Sequence, residues 1–184
     1  GRAAAFSSML YMWFRYGKPD ISMSANGMLA GLVAITAPCA FVNSVSAVII
    51  GLIAGILVCI SVVFVERTLK IDDPVGAVSV HGVNGTWGVL ALGLFADGTY
   101  GDGLNGIAGP VKGLFYGDGS QFAAQVVGSL TNMVFVFVVM YLFFKMLYKI
   151  IPLRVSEELE LQGLDQAEVA VSAYPDFHVR TSHR

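Results

Sequence analysis

The sequence predicts an all-α integral membrane protein, on three observations. Only 13% of the 184 residues are charged, about half the share of a soluble domain. The charges are segregated, because residues 21–65, 74–96 and 119–144 contain no Asp, Glu, Lys or Arg, giving runs of 45, 23 and 26 residues. One hydrocarbon crossing takes about 20 apolar residues, so the first run holds two crossings and each of the others one. A formal net charge of −2 without a basic patch excludes a nucleic-acid module, and two lone cysteines exclude a disulfide scaffold.

Residues 3–14 are apolar but too few to cross a bilayer as a helix. With no initiator Met and no signal peptide, the chain is expected to begin partway through a membrane segment of something longer. Helices are expected at 3–16, 22–41, 45–66, 74–96 and 119–150. Pro38, Asn43, Ser44 and Ser46 interrupt the long uncharged run and separate its two crossings. Cys39 falls near one end of its span and Cys59 inside the next, so both read as small apolar packing residues. Asp73 is expected to cap the fourth span, with Pro74 at its first helical position.

Residues 1–151 form the membrane domain and 152–184 a polar tail. Ser156 is placed to cap a short tail helix, with Glu157 and Glu158 in its first turn and Gly163 as its stop. A second tail helix is expected from Asp165, with Glu168 as its capping-box partner. Basic residues fall in alternate connections: Arg15 and Lys18, then Arg67 and Lys70, then Lys145, Lys149 and Arg154. That asymmetry predicts a cytoplasmic C-terminus. Asp97, Asp102 and Asp118 lie in the opposite, outer connection, where they either raise the local cation concentration or simply keep a glycine-rich loop solvated.

Glycines recur at helical spacing within the spans: Gly27 and Gly31, Gly51 and Gly55, and Gly82, Gly85 and Gly88. Such stripes either let helix backbones approach closely or leave room for a pore. His81 is the one ionisable side chain inside the uncharged runs. It lies about 10 Å along a helix from Pro74, in the inner half of the membrane. An ionisable group there is costly unless it faces protein or water, which makes it a functional candidate. The alternative is a buried imidazole bonded to a backbone carbonyl. On a regular α-helix His81 shares a face with Ala77 or Val78 and with Asn84, Gly85 and Gly88, while Trp87 points away, to packing or to lipid. A neutral imidazole donates at one nitrogen and accepts at the other and can exchange a proton near neutrality. These properties suit a path for a small neutral or cationic species.

The segment Asp72-Asp73-Pro74-Val75-Gly76-Ala77-Val78-Ser79-Val80-His81-Gly82-Val83-Asn84-Gly85 resembles the signature of the ammonium transporter family (Amt/Mep/Rh). Arg15-Tyr16-Gly17-Lys18-Pro19, Gly31 to Thr36 and Gly51 to Gly55 add to the resemblance, as do Leu153-Arg154-Val155, Gly163-Leu164-Asp165 and Ala173-Tyr174-Pro175. The Asp-Asp-Pro pair and Gly-Leu-Asp look like the Amt branch more than the Rh-like gas channels.

The resemblance implies the C-terminal half, about helices seven to eleven, of an eleven-helix inverted-repeat ammonium transporter fold. It also implies a homotrimer with one pore per subunit in the plasma membrane, conducting ammonium or ammonia without a cofactor or bound metal. His81 would be the second of a pair of pore histidines and Thr36 would sit near the inner part of the pore. Asp73, Asn84 and Gly85 would support it. The tail would be regulatory and contact a PII-type nitrogen-signalling protein, although Val169-Ala170 replaces the histidine-glycine pair found in many bacterial members. The rival from another class is an intramembrane sensor or enzyme using His81 as base or ligand. It lacks a second His, Asp or Glu in the spans to act with.

Overall fold

The computed structural model describes residues 1–99 and 108–171, so Asp102, Ala173-Tyr174-Pro175 and the end of the tail lie outside the described residues. Helices α1 (Arg2–Tyr16), α2 (Ile21–Thr36), α3 (Ser44–Val63), α4 (Asn84–Phe95), α5 (Gly119–Leu147) and α6 (Glu157–Gln162) follow in order. A π turn over Phe64–Thr68 extends α3, and another over Val78–Val83 leads into α4. A 3-10 turn, Leu114–Tyr116, precedes α5, and a third π turn, Asp165–Val169, follows α6. Among the described residues the only β pairing is an isolated bridge between Asp97 and Lys112. Three helical stretches, Ser44–Thr68, Val78–Phe95 and Gly119–Leu147, are long and apolar enough to cross a membrane. With the shorter apolar α2 they match the expected all-α membrane architecture.

The helix starts follow local side-chain chemistry. Asp20 accepts from Met23 N at 2.8 Å to cap α2, and Asn43 from Ser46 N at 3.0 Å to cap α3. Each carboxylate or amide oxygen satisfies an N–H that has no partner within its helix. Ser156 caps α6 as expected, accepting from Leu159 N. Several boundaries depart from expectation. Helix α2 stops at Thr36, not at 41, because Pro38 has no N–H for the carbonyl of Ala34. Helix α5 ends at Leu147 and gives way to a turn before 150. The second tail element is a π turn entered at Leu164, so Asp165 is its first residue and not the cap before it.

The fourth span begins later than its Asp-Pro pair suggests. Pro74 lies in a turn closed by Gly76 N donating to the Asp73 carbonyl at 2.9 Å, and Gly76 has φ 69°. The Asp73 carboxylate reaches past this turn to accept from Val78 N at 3.1 Å and Ser79 N at 3.3 Å. Asp73 therefore caps the π turn, with Pro74 outside the helix.

The chain divides into two compact units, Gly1–Val134 and a second beginning at Phe135. In the first, α1, α2 and α3 pack mutually and α4 lies against α2 and α3. The core is built from small side chains: Ala4, Ala34, Ala54 and Ala91 surround Ile50, and Ala30, Val58, Cys59 and Val80 form a second cluster. Gly27 and Gly31 meet Ser8 and Ala4 of α1, Gly55 meets the Ala4 backbone, and Gly88 meets the Ala34 carbonyl. Backbones approach this closely only where no Cβ intervenes, and the dispersion attraction between them replaces the hydrophobic drive that lipid does not supply. Ser7 Oγ adds a bond to Leu52 O at 2.8 Å, and Trp87 Nε1 bonds Ile50 O at 3.1 Å, so Trp87 is a packing ring.

Loop contacts define the two ends of this unit. Asn43 Nδ2 donates to Asp97 Oδ2 at 3.2 Å and to the Tyr116 hydroxyl at 3.3 Å, gathering the α2–α3 connection, the end of α4 and the approach to α5. At the other end Gly76 lies against Asn26 of α2 and Val62 of α3. Helices α2, α3 and α4 therefore alternate in direction. In the second unit the rings of Phe137 and Tyr141 stack on α5 at 6.2 Å, and Arg154 pairs with Glu160 at 2.9 Å.

Candidate functional site

His81 sits in the π turn Val78–Val83. In a π turn the bonding shifts from i→i+4 to i→i+5, so the turn takes up an extra residue and the faces before and after it fall out of α-helical register. Ala77, Val78, His81 and Gly82 are exposed, whereas Ser79, Val80, Asn84 and Gly88 are buried. The face shared with Ala77 and Val78 is as expected. The face shared with Asn84 and Gly88 is not, because the π turn carries them inward. Neither nitrogen of the His81 ring has a hydrogen-bond partner among the described residues, which sets aside the carbonyl-bonded buried imidazole.

The glycines beside His81 would each accommodate a Cβ in ordinary contact. A Cβ on Gly82 would come no nearer than 3.9 Å to Val78 Cγ1, and one on Gly85 would stand 3.8 Å from Val33 Cγ1. Gly88 differs, since a Cβ there would come within 2.5 Å of Ala34 O. One glycine stripe thus splits by role, with Gly82 and Gly85 leaving space beside the histidine and Gly88 making the helix crossing.

Behind the exposed face lies a buried polar cluster. Ser61 Oγ on α3 donates to Ser79 Oγ at 3.0 Å, and Ser79 Oγ donates to Asp73 Oδ2 at 3.4 Å. Asn84 Nδ2 donates to the Ser79 carbonyl at 2.9 Å, and the Asn84 backbone N–H to the His81 carbonyl. Asp73 is 3% exposed, and Ser79 and Asn84 are fully buried. Buried polar groups are tolerated when they satisfy one another, and here all but Asn84 Oδ1 do so among the described residues. Ser61 and Ser79 were not among the residues the sequence singled out. Ser61 shows only a hydroxyl within an apolar run, and Ser79 lies in the segment that carries the family resemblance with nothing there to mark it for a role.

Thr36 is not brought to this cluster. It is exposed at the last residue of α2, its hydroxyl bonded to Leu32 O at 2.9 Å in its own helix. Val33 meets Gly85; Thr36 lies beyond it towards the Asn43 end and His81 below it towards the Asn26 end, so they stand about 10 Å apart along the helix axes. Helix α2 starts at the end bearing the basic Arg15–Lys18 connection, three residues after Lys18, and Thr36 closes its opposite end.

Two acidic residues of the other end, Asp97 and Asp118, accept local hydrogen bonds. Asp97 accepts from Asn43 and from Thr99 N, and Asp118 accepts from Ser120 N at 2.9 Å. The Ser120 hydroxyl, followed by that N–H, holds the Asp118 carboxyl below its ordinary value.

The family model described as the Ammonium Transporter Family matches residues 1–174. The chain is 47% identical over 176 residues to "Ammonium transporter Amt2" of Archaeoglobus fulgidus, covering 95% of this chain and 37% of that protein. To the "Ammonium transporter" of Bacillus subtilis it is 38% identical, over 91% of this chain and 40% of the relative. Among solved structures, one titled "Sensor Amt Protein" superposes with a TM-score of 0.77 at 39% identity, over 91% of this chain and 39% of that one. Candida albicans Mep2 superposes with a TM-score of 0.74 at 28% identity, over 85% of this chain and 34% of that one. The chain thus spans about two fifths of the length of the Archaeoglobus and Bacillus relatives. With the three long apolar helices, these matches show that the chain is a multi-pass membrane protein belonging to the ammonium transporter family.

Proposed function

We propose that this chain forms one wall of an ammonium-conducting pore, with His81 as its polar contact to the substrate. One observation carries the reading: an imidazole without a hydrogen-bond partner among the described residues is presented on the exposed side of a membrane-spanning helix. Such a group in a membrane segment needs water, substrate or further protein against it. Ammonium recruited at the outer mouth would lose its proton, pass His81 as ammonia and be reprotonated inside. A neutral molecule escapes the large desolvation cost a cation would meet. The neutral imidazole can both accept from and donate to such a molecule. Gly82 and Gly85 leave it room, while Asp73 and Asn84 hold the turn from behind.

The same reading takes residues 1–151 as the membrane domain and 152–184 as a cytoplasmic regulatory tail, in a plasma-membrane homotrimer. The alternation of basic connections supports the orientation. A PII-type partner for the tail rests on the family resemblance, and Val169-Ala170 in its π turn is the departure that bears on it. A second reading, a transporter-derived sensor, is favoured by the similarity to the structure titled "Sensor Amt Protein". Enzymatic use of His81 finds no counterpart among these relatives, which are named as transporters.

The test is methylammonium uptake by cells carrying the intact protein, compared with His81→Ala at equal membrane abundance. A loss of about tenfold, or about 1.4 kcal/mol, is expected. Undiminished uptake in the variant would remove His81 from the path. Ammonium-dependent signalling without uptake in the unmodified protein would select the sensor.

A further inference from the structure

We propose that Ser79 is a positioning residue that sets the direction of the His81 imidazole, acting through the π turn that both occupy. The inference rests on the role of His81 proposed above. Ser79 lies two residues before His81 and is fully buried, and all three of its polar groups are engaged. Its N–H donates to Asp73 Oδ2 at 3.3 Å and its hydroxyl to the same oxygen at 3.4 Å. Its carbonyl accepts from Asn84 Nδ2 at 2.9 Å. The Ser79 hydroxyl, which gives its one proton to Asp73, accepts from the Ser61 hydroxyl at 3.0 Å.

The result is one directed chain, Ser61 to Ser79 to Asp73, running from α3 to the loop ahead of the π turn. Asn84 closes the other side, giving its side-chain amide to the Ser79 carbonyl and its backbone N–H to the His81 carbonyl. The His81 carbonyl is thereby held from the C-terminal side, and Ser79 is anchored on its N-terminal side to two separate elements. A wider helical turn has alternative registers close in energy to regular α-helix. A regular α-helix would change the facing of His81 relative to Asn84. The Ser79 anchors select the register in which Ser79 faces inward and His81 outward.

The test uses the intact transporter, with Ser79→Ala, Ser79→Thr and Ser61→Ala compared with the unmodified protein and with His81→Ala. Uptake is normalised to folded protein in the membrane. Ser79→Ala is expected to lower the maximum rate per folded transporter about fivefold with little change in KM. Ser79→Thr, which keeps the hydroxyl, is expected to recover most of that rate, and Ser61→Ala to fall in between. A Ser79→Ala rate per folded transporter equal to that of the unmodified protein would overturn the inference, including the case in which less protein folds but each copy works normally. If Ser79→Ala yields no folded protein, Ser61→Ala decides instead, and an unchanged rate there overturns the inference. Uptake by His81→Ala equal to the unmodified protein would instead overturn the underlying reading of the pore.

Discussion

At the residue scale, the carboxylates here act mainly as acceptors for helix starts. Asp73 serves two backbone N–H groups and the Ser79 hydroxyl in a buried setting. Asp73→Ala leaves these donors unpaired, at about 1–3 kcal/mol for each group not rescued by water. The expected outcome is a clear drop in the unfolding midpoint of the detergent-solubilised protein, and a midpoint within error of the unmodified one would refute the capping role. Asp118 serves the start of α5 in solvent, and its folded carboxyl sits below the unfolded value because Ser120 bonds the charged form. Its contribution is therefore present above the unfolded carboxylate value, near pH 4, and is lost as the pH falls through the lower folded value. Hydrogen exchange at Ser120 and Gln121 should quicken across that acidic window, and Asp118→Asn should abolish the extra pH dependence. That Asp73 caps a helix was legible from its place before a proline. That it reaches over a turn to residues five and six positions on was not, because the reach depends on Gly76 taking a positive φ.

At the element scale, the same sequence signal produces different structures. Gly82, Gly85 and Gly88 share one helical spacing, yet Gly88 is pressed against Ala34 O at a distance that excludes a Cβ, whereas a Cβ on Gly82 would make only ordinary contact, 3.9 Å from Val78 Cγ1. Gly88→Val should destabilise the helix pair by about 1–3 kcal/mol through overpacking, whereas Gly82→Ala should leave the unfolding midpoint nearly unchanged. Equal midpoint shifts in the two variants would contradict this division. Gly76 is constrained in another way, since φ 69° and Asn26 Nδ2 at 2.9 Å from its Cβ site both oppose a side chain. Gly76→Ala is expected to cost about 1–2 kcal/mol for the left-handed backbone alone, measured by the same melt. Periodicity shows which residues share a helical face and is silent about which stretch of that face meets another helix. It also assumes an unbroken α-helix, which is why the π turn moved Asn84 and Gly88 off the face of His81.

At the scale of the whole molecule, the alternating helices and the basic connections predict which parts face each side of the membrane. Cys39 is exposed in the connection at the Asn43 end, and Cys59 is buried in the helix core. A membrane-impermeant maleimide applied to intact cells should label Cys39, with Cys39→Ser as control, and leave Cys59 unmodified. Labelling of Cys39 only in inverted vesicles would reverse the proposed orientation. The sequence by itself determined the all-α membrane class and the family. Each follows from where charge is absent or from an ordered string of residues, and neither requires knowing what touches what. Only the tertiary structure decided that Ser61 and Ser79 join Asp73, that Thr36 lies at the far end of α2 and that His81 faces outward with no hydrogen-bond partner among the described residues. Those outcomes depend on helix register and on contacts across 18 residues of sequence or more, where a single extra residue in one turn redirects every side chain beyond it.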